Sequence, residues 1–314
     1  MHPQPADGLA PDSPVLVDGH RVGARRFGSV GGWPIVWCHG GLSSVLDAKF
    51  FDAAGRRCGA DIIAIDRPGI GRSDAWDMSS IAHWPHMVER VADVLGLDDF
   101  AVAGWSAGGP YALACAAAMP HRVRAVATLA GMAPLECYRH VFELRLWADL
   151  LLIPAARWSS RAAAVLLWLG RWVPDCYLAW EVRRTAGSRD RAALQERPLQ
   201  WIIAAHREAT VGGVRGTAED YRRFGGARGF ELGAVGLTVT VWQGEQDIPL
   251  PMNHARRLAT ALPSSTLRVV ASSGHYLPAV IADVVLGFPR SSPMWCSVTS
   301  RRDDRSTQLQ ELRP

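Results

Sequence analysis

Phe100-Ala101-Val102-Ala103-Gly104-Trp105-Ser106-Ala107-Gly108 is the stretch on which the reading of this chain turns. Its first four residues form a short apolar run that reads as a buried strand. Residues 107–119 are Ala-rich and read as a helix, and G-x-S-x-G stands between the two. A strand that becomes a helix within two residues brings both arms together at positions 104 and 108. A Cβ would collide there, so glycine stands at both. The same tight turn lifts the side chain of Ser106 clear of the backbone, beside the first N–H groups of the helix. The pentapeptide alone carries little weight; the strand before it and the helix after it make Ser106 a candidate nucleophile.

Outward from this turn, strands and helices alternate. Residues 35–38 and 61–66 are short apolar runs that read as strands, and 123–129, 238–242 and 266–271 also read as strands. Helices are expected over 47–57, 81–95, 107–119, 252–262 and 277–286, and 15–27 fits two strands joined at Asp18-Gly19. This alternation predicts an α/β fold with a mostly parallel, doubly wound sheet and right-handed crossovers. The rhythm breaks between 129 and 238. One crossover needs about thirty residues, so the surplus reads as an inserted helical cap over 134–230, with the core formed by 15–133 and 231–288. The cap carries Trp147, Trp158, Trp168, Trp172, Trp180 and Trp201. Packing onto the core is the expected use of at least half of them. Residues 1–14 are expected to be disordered, and 289–314 to form a loose polar tail.

Composition narrows the classes. The 314 residues are 48% hydrophobic, enough for a sizeable core, and the net charge of +4 is modest. Basic residues are spread along the chain without an aromatic-interleaved cluster, which speaks against nucleic acid as a partner. Cys38, Cys58, Cys115, Cys137, Cys176 and Cys296 lie far apart with no C-x-x-C spacing, so no metal site is expected, and a reducing cytoplasm is. Residues 1–7 show neither a basic nor an apolar segment of the kind a secretory signal uses. Residues 146–156 and 162–173 are the longest apolar candidates, but Pro154, Arg157, Arg161 and Arg171 interrupt or flank them. Their arginine-flanked apolar faces would also suit an interfacial helix, with packing onto the core the favoured reading.

A serine hydroxyl needs a base to take its proton and an acid to orient that base. Two later strands end in candidates: 238–242 runs into Gln243-Gly244-Glu245-Gln246-Asp247, and 266–271 into Ser272-Ser273-Gly274-His275. Both lie just past the carboxyl ends of parallel strands, where such sheets place their sites. His275 is the expected base, with His254, His206 and His140 as the other histidines weighed; His206 and His140 are expected to meet substrate or solvent. Asp247 is the expected acid, with Glu245 and Glu136 as alternatives. The expected oxyanion donors are the Ala107 N–H and the Gly41 N–H of His39-Gly40-Gly41-Leu42, with Leu42 N–H as runner-up. Leu42 and Trp105 are the expected substrate contacts, and no cofactor is called for. Asp66-Arg67-Pro68-Gly69-Ile70-Gly71-Arg72-Ser73 has two glycines of a dinucleotide loop but Asp74 where the third belongs, so it reads as a structural turn.

Together, His39-Gly40-Gly41, the 66–73 stretch, Gly104-Trp105-Ser106-Ala107-Gly108, Gly244 with Asp247, and Gly274-His275 resemble the α/β-hydrolase fold family over about residues 20–288. The resemblance implies Ser106 as nucleophile, Asp247 as acid, His275 as base, and a cap that shapes the substrate pocket. Serine at the turn is unlike the aspartate of haloalkane dehalogenases and epoxide hydrolases. Leu42-Ser43 departs from the Pro-Gly of proline iminopeptidases. The expected activity is hydrolysis of carboxylic esters of small apolar substrates through an acyl-enzyme. Carbon–carbon-bond hydrolysis and cofactor-free perhydrolysis share the same triad, and a ligand-binding protein without turnover is the alternative of a different class.

Overall fold

Alternating side chains explain how the strands pack in the computed structural model, which describes residues 14–195 and 197–287. Ile35, Trp37, Ile62, Ala64, Ala101 and Ala103 pack into one buried cluster, and Val36, Cys38, Ile63, Ile65, Phe100 and Val102 into another. A strand with both faces buried must belong to a sheet covered by helices on both sides. The strands are β1 (Val15–Val17), β2 (His20–Val22), β3 (Ala24–Gly28), β4 (Trp33–Cys38), β5 (Ala60–Ile65), β6 (Phe100–Trp105), β7 (Val123–Leu129), β8 (Val239–Gly244) and β9 (Ser265–Val270). β1 and β2 form a separate antiparallel hairpin. The main sheet runs β3-β5-β4-β6-β7-β8-β9, parallel except for β3.

Two local expectations are corrected. Residues 15–27 hold parts of three strands rather than two, because Gly23 breaks the run and the chain leaves the hairpin to pair with β5. The helix expected over 47–57 begins as a 3-10 turn, Val45–Phe51, and becomes α-helical only at Asp52–Cys58. The Asp47 carboxylate there is engaged by Trp37, Gly40 and Ser43.

Between β7 and β8 the chain forms helices Tyr138–Phe142, Trp147–Trp158, Ser160–Gly170, Asp175–Thr185, Ser188–Ala193, Arg197–Glu208 and Arg215–Gly225. The cap tryptophans depart from expectation. Only Trp201 is partly covered, packing edge-on against Phe50 beneath Lys49; Trp147, Trp158, Trp168, Trp172 and Trp180 are exposed. The inward positions of the two helices that carry Trp147, Trp158 and Trp168 are filled by Leu152, Ile153, Ala156, Ala163 and Leu167. Residues 1–13 and 288–314, which hold nearly all of the expected disordered N-terminus and all of the loose tail, lie outside the described residues. Among the described residues, no helix is long and apolar enough to cross a membrane.

Candidate active site

The carboxyl ends of β4, β6, β8 and β9 bring the candidate residues to one edge of the sheet. Ser106 directly follows β6 with φ of +54°, a left-handed conformation that a non-glycine residue adopts only under strain. The glycines on either side make that turn possible. A Cβ on Gly104 would strike the Gly108 carbonyl, and one on Gly108 would strike the Cys38 carbonyl. Ser106 itself is only half-buried, so its side chain is within reach of solvent.

His275 and Asp247 are paired. The imidazole Nδ1 lies 3.0 Å from Asp247 Oδ2 and 3.2 Å from Oδ1, and both residues are buried. Asp247 also accepts from Leu250 N–H at 2.8 Å and Gln243 Nε2 at 3.1 Å, so its two oxygens are held in place. Burial opposes a charged imidazole. The neighbouring Asp247 carboxylate overrides it, with Asp149 and Asp190 adding to the pull, and His275 holds its proton above the ordinary histidine range. Trp105 ties this pair to the turn at Ser106. Its indole N–H donates to the His275 carbonyl at 2.8 Å, and its ring packs against the imidazole at 5.5 Å.

Gly41 stands beside Ala107: a Cβ on Gly41 would lie 3.4 Å from the Ala107 methyl. The Gly40 N–H is taken by Asp47 at 2.9 Å. Burial raises Asp47 to about 6 against the hydrogen bonds it accepts. Leu42 turns through φ of +46°, and Ala130 and Ser272, past the ends of β7 and β9, share this left-handed conformation. Tyr221 and Phe224 of helix Arg215–Gly225 face Gly41 from above, within 4 Å of where its Cβ would be.

The other histidines and acids stand elsewhere. His39 bonds the Gly40 carbonyl through Nδ1 and accepts from Arg67 N–H through Nε2, and burial keeps it neutral. His206, expected to meet substrate or solvent, instead hydrogen-bonds the Leu42 backbone; burial and Arg207 pull it down to about 4. His254 is buried 3.8 Å from Glu143. Glu245 is exposed and accepts from Ser272 N–H, and Glu136 is exposed.

Four buried charged residues at this edge are not among the site residues expected from the sequence. Asp190 accepts from the N–H groups of Gly187, Gly274 and Tyr276, at 2.9–3.2 Å, and so grips the backbone on both sides of His275. Arg67 donates to the His39 and Gly40 carbonyls at 2.6 and 2.8 Å, and forms a bidentate pair with Asp220 at 2.7 and 2.9 Å. Both are fully buried, and Tyr111 donates its hydroxyl to Asp220 as well. Asp149 accepts from Tyr221 at 2.9 Å; burial raises its carboxyl to about 6 while the charge of His275 opposes that rise. The nearest signal in the sequence was the Asp66–Ser73 stretch, which contains Arg67. It does fold as a turn around the Asp66 carboxylate, which accepts from Val45 and Arg72 N–H.

A model of the alpha/beta hydrolase fold family matches residues 34–279, and the chain belongs to that family. Among curated proteins it is similar to one named for carbamate hydrolysis, RutD of Azorhizobium caulinodans. The two are 27% identical over 234 residues, covering 72% of this chain and 80% of the relative. Its fold is similar to that of an esterase from Exiguobacterium antarcticum, with a TM-score of 0.66 at 17% identity, covering 89% of this chain and 100% of that one. It is also similar to an enol-lactonase from Burkholderia xenovorans, with a TM-score of 0.64 at 18% identity, covering 90% and 99%. Hydrolase activity is the common property of these relatives.

Proposed function

We propose that this chain is a serine hydrolase that cleaves a carboxylic ester of a small apolar substrate through an acyl-enzyme. The observation that carries this reading is the buried His275–Asp247 pair, bonded through Trp105 to the strained turn that presents Ser106. With its Nδ1–H given to Asp247, the neutral imidazole keeps a lone pair on Nε2 for the serine proton. Ser106 Oγ attacks the ester carbonyl as His275 takes that proton, and the oxygen of the tetrahedral intermediate becomes negative. The Gly41 and Ala107 N–H groups receive it; the Gly40 N–H is already committed to Asp47. The intermediate collapses, His275 gives its proton to the leaving alcohol, and Ser106 is left acylated. Water, deprotonated by His275, then releases the acid by the same route.

Phe224 and Tyr221 stand over Gly41 and, with Leu42 beside it in the chain, make up the proposed substrate wall, while Trp105 backs the imidazole. Asp149 is the polar exception. Its second oxygen can accept an N–H, which favours carbamates as a second substrate class, in keeping with the name of the curated relative.

The test is labelling with a fluorophosphonate and a pre-steady-state burst with a short nitrophenyl ester. Stoichiometric adduct on Ser106 and a burst of nitrophenol are expected. Folded protein that takes no label is a ligand-binding member of the family instead.

A pH prediction follows from Asp149. The base must be neutral, so kcat/KM rises with pH through the imidazole pKa. Asp149 helps hold that pKa up. In Asp149→Asn the acidic limb moves to lower pH, with the plateau kept within about tenfold because the transition-state contacts remain. A limb unmoved, or moved upward, on titration of kcat/KM counts against any electrostatic link between the two groups.

A further inference from the structure

We propose that the outer face of helices Trp147–Trp158 and Ser160–Gly170, continued through Trp172 and Trp180, docks on an anionic lipid bilayer. Large apolar side chains on this face stand in water. Trp158 is 84% exposed, Trp172 78% and Trp147 62%, and Leu151, Val165, Trp168 and Leu169 are more than half exposed. Their spacing is helical: 147, 151 and 158 fall on one stripe, and 161, 165 and 168 on the next, along two helices packed against each other, with Trp172 in the turn that follows. Scattered exposed leucines need no explanation, but this many exposed large apolar side chains on two neighbouring helices mark a binding face.

Charge selects the occupant. Residues 150–174 contain Arg157, Arg161 and Arg171 and no acidic residue. The acids that border this stretch are spoken for: Asp149 is buried against Tyr221, Asp175 pairs with Arg207 and Glu181 with Arg184. The face is therefore apolar with a net positive rim: Arg161 and Arg171 are exposed, and Glu219, which lines a cavity with Arg161, is paired with Arg222. Tryptophan settles at the boundary between headgroups and acyl chains, where its ring is buried and its N–H stays wet, and arginine meets lipid phosphate. A second copy of this chain is a poor occupant. A two-fold contact would set the same patch against itself and bring two positive rims into one interface.

Vesicle binding is measured without substrate, so it stands or falls independently of the catalytic reading. The probes are phosphatidylcholine vesicles with and without phosphatidylglycerol, by co-sedimentation and tryptophan emission. Expected are binding to the mixed vesicles with a blue shift, weak binding to phosphatidylcholine alone, and loss on adding salt. Binding should fall about tenfold or more both in Trp158→Ala/Trp172→Ala and in Arg161→Glu/Arg171→Glu. Turnover of a soluble ester, or the thermal melting curve, should be unchanged in both double variants. Absent vesicle binding, or binding that neither double variant weakens, overturns the proposal. So does a wild-type dimer in light scattering that Trp158→Ala/Trp172→Ala converts to monomer.

Discussion

Ser106→Ala should lower kcat for ester hydrolysis by about four to six powers of ten, while the folded protein survives. The size of the loss follows from the assignment of roles. Without Oγ there is no acyl-enzyme, and only the polarising N–H groups and the binding wall remain to assist attack by water. The burst and the fluorophosphonate adduct should vanish together. Stability should barely move, because alanine at φ of +54° meets the same backbone strain as serine. Ser106→Gly sharpens the point. Glycine relieves that conformation and should raise unfolding stability by about 1 kcal/mol while activity is lost as completely. The measurements are single-turnover kinetics and urea denaturation on the three proteins. Activity that persists in Ser106→Ala would place the nucleophile elsewhere.

The largest effect on stability is expected from Asp220→Ala. This substitution removes the bidentate partner of Arg67 in a site sealed from water, leaving a guanidinium with only two carbonyls to satisfy it and Tyr111 without an acceptor. Burial works against the Arg67 charge, and Asp220 is the main group holding that charge in place. Breaking such a pair on one side costs about 3–5 kcal/mol, seen as a fall in the urea midpoint. Replacing both partners by apolar residues, as in Arg67→Met/Asp220→Leu, should recover much of that loss, since no charge is then stranded. Activity should not recover with stability. Arg67 also grips the carbonyls of His39 and Gly40, and without that grip the loop that presents Gly41 is free to shift. Asp220→Ala that unfolds at the wild-type midpoint would mean the pair contributes nothing net.

What the sequence disclosed was local. The turn at 104–108 is legible because its requirement is met within five residues: two glycines, a serine, and apolar runs on both sides. The succession of β4 to β8 is legible because burial of both strand faces leaves largely apolar runs; Asp247 sits just past β8, and His275 past the half-exposed edge strand β9. What stayed hidden depends on long separations. Arg67 and Asp220 are 153 positions apart, and Asp190 and Gly274 are 84 apart; neither pair has a periodicity or motif to announce it. The outward placing of the tryptophans is hidden for a related reason. Helical spacing says which residues share a face, but only the packing of Leu152, Ile153 and Ala163 against the rest decides which face turns inward.

The grip of Asp190 on Gly274 and Tyr276 limits how a substrate can arrive. Segment 185–190 belongs to the insertion by sequence but to the imidazole's scaffold by contact, and Thr185 meets the Tyr276 hydroxyl as well. Lifting the insertion as one piece would drag the histidine from its aspartate, and would tear Asp220 from Arg67 on the opposite side. The roof over Ser106 is thus bolted at two points to the parts it would have to uncover. On the proposed ester chemistry, reactants would have to thread past a standing structure rather than enter beneath a lid that lifts.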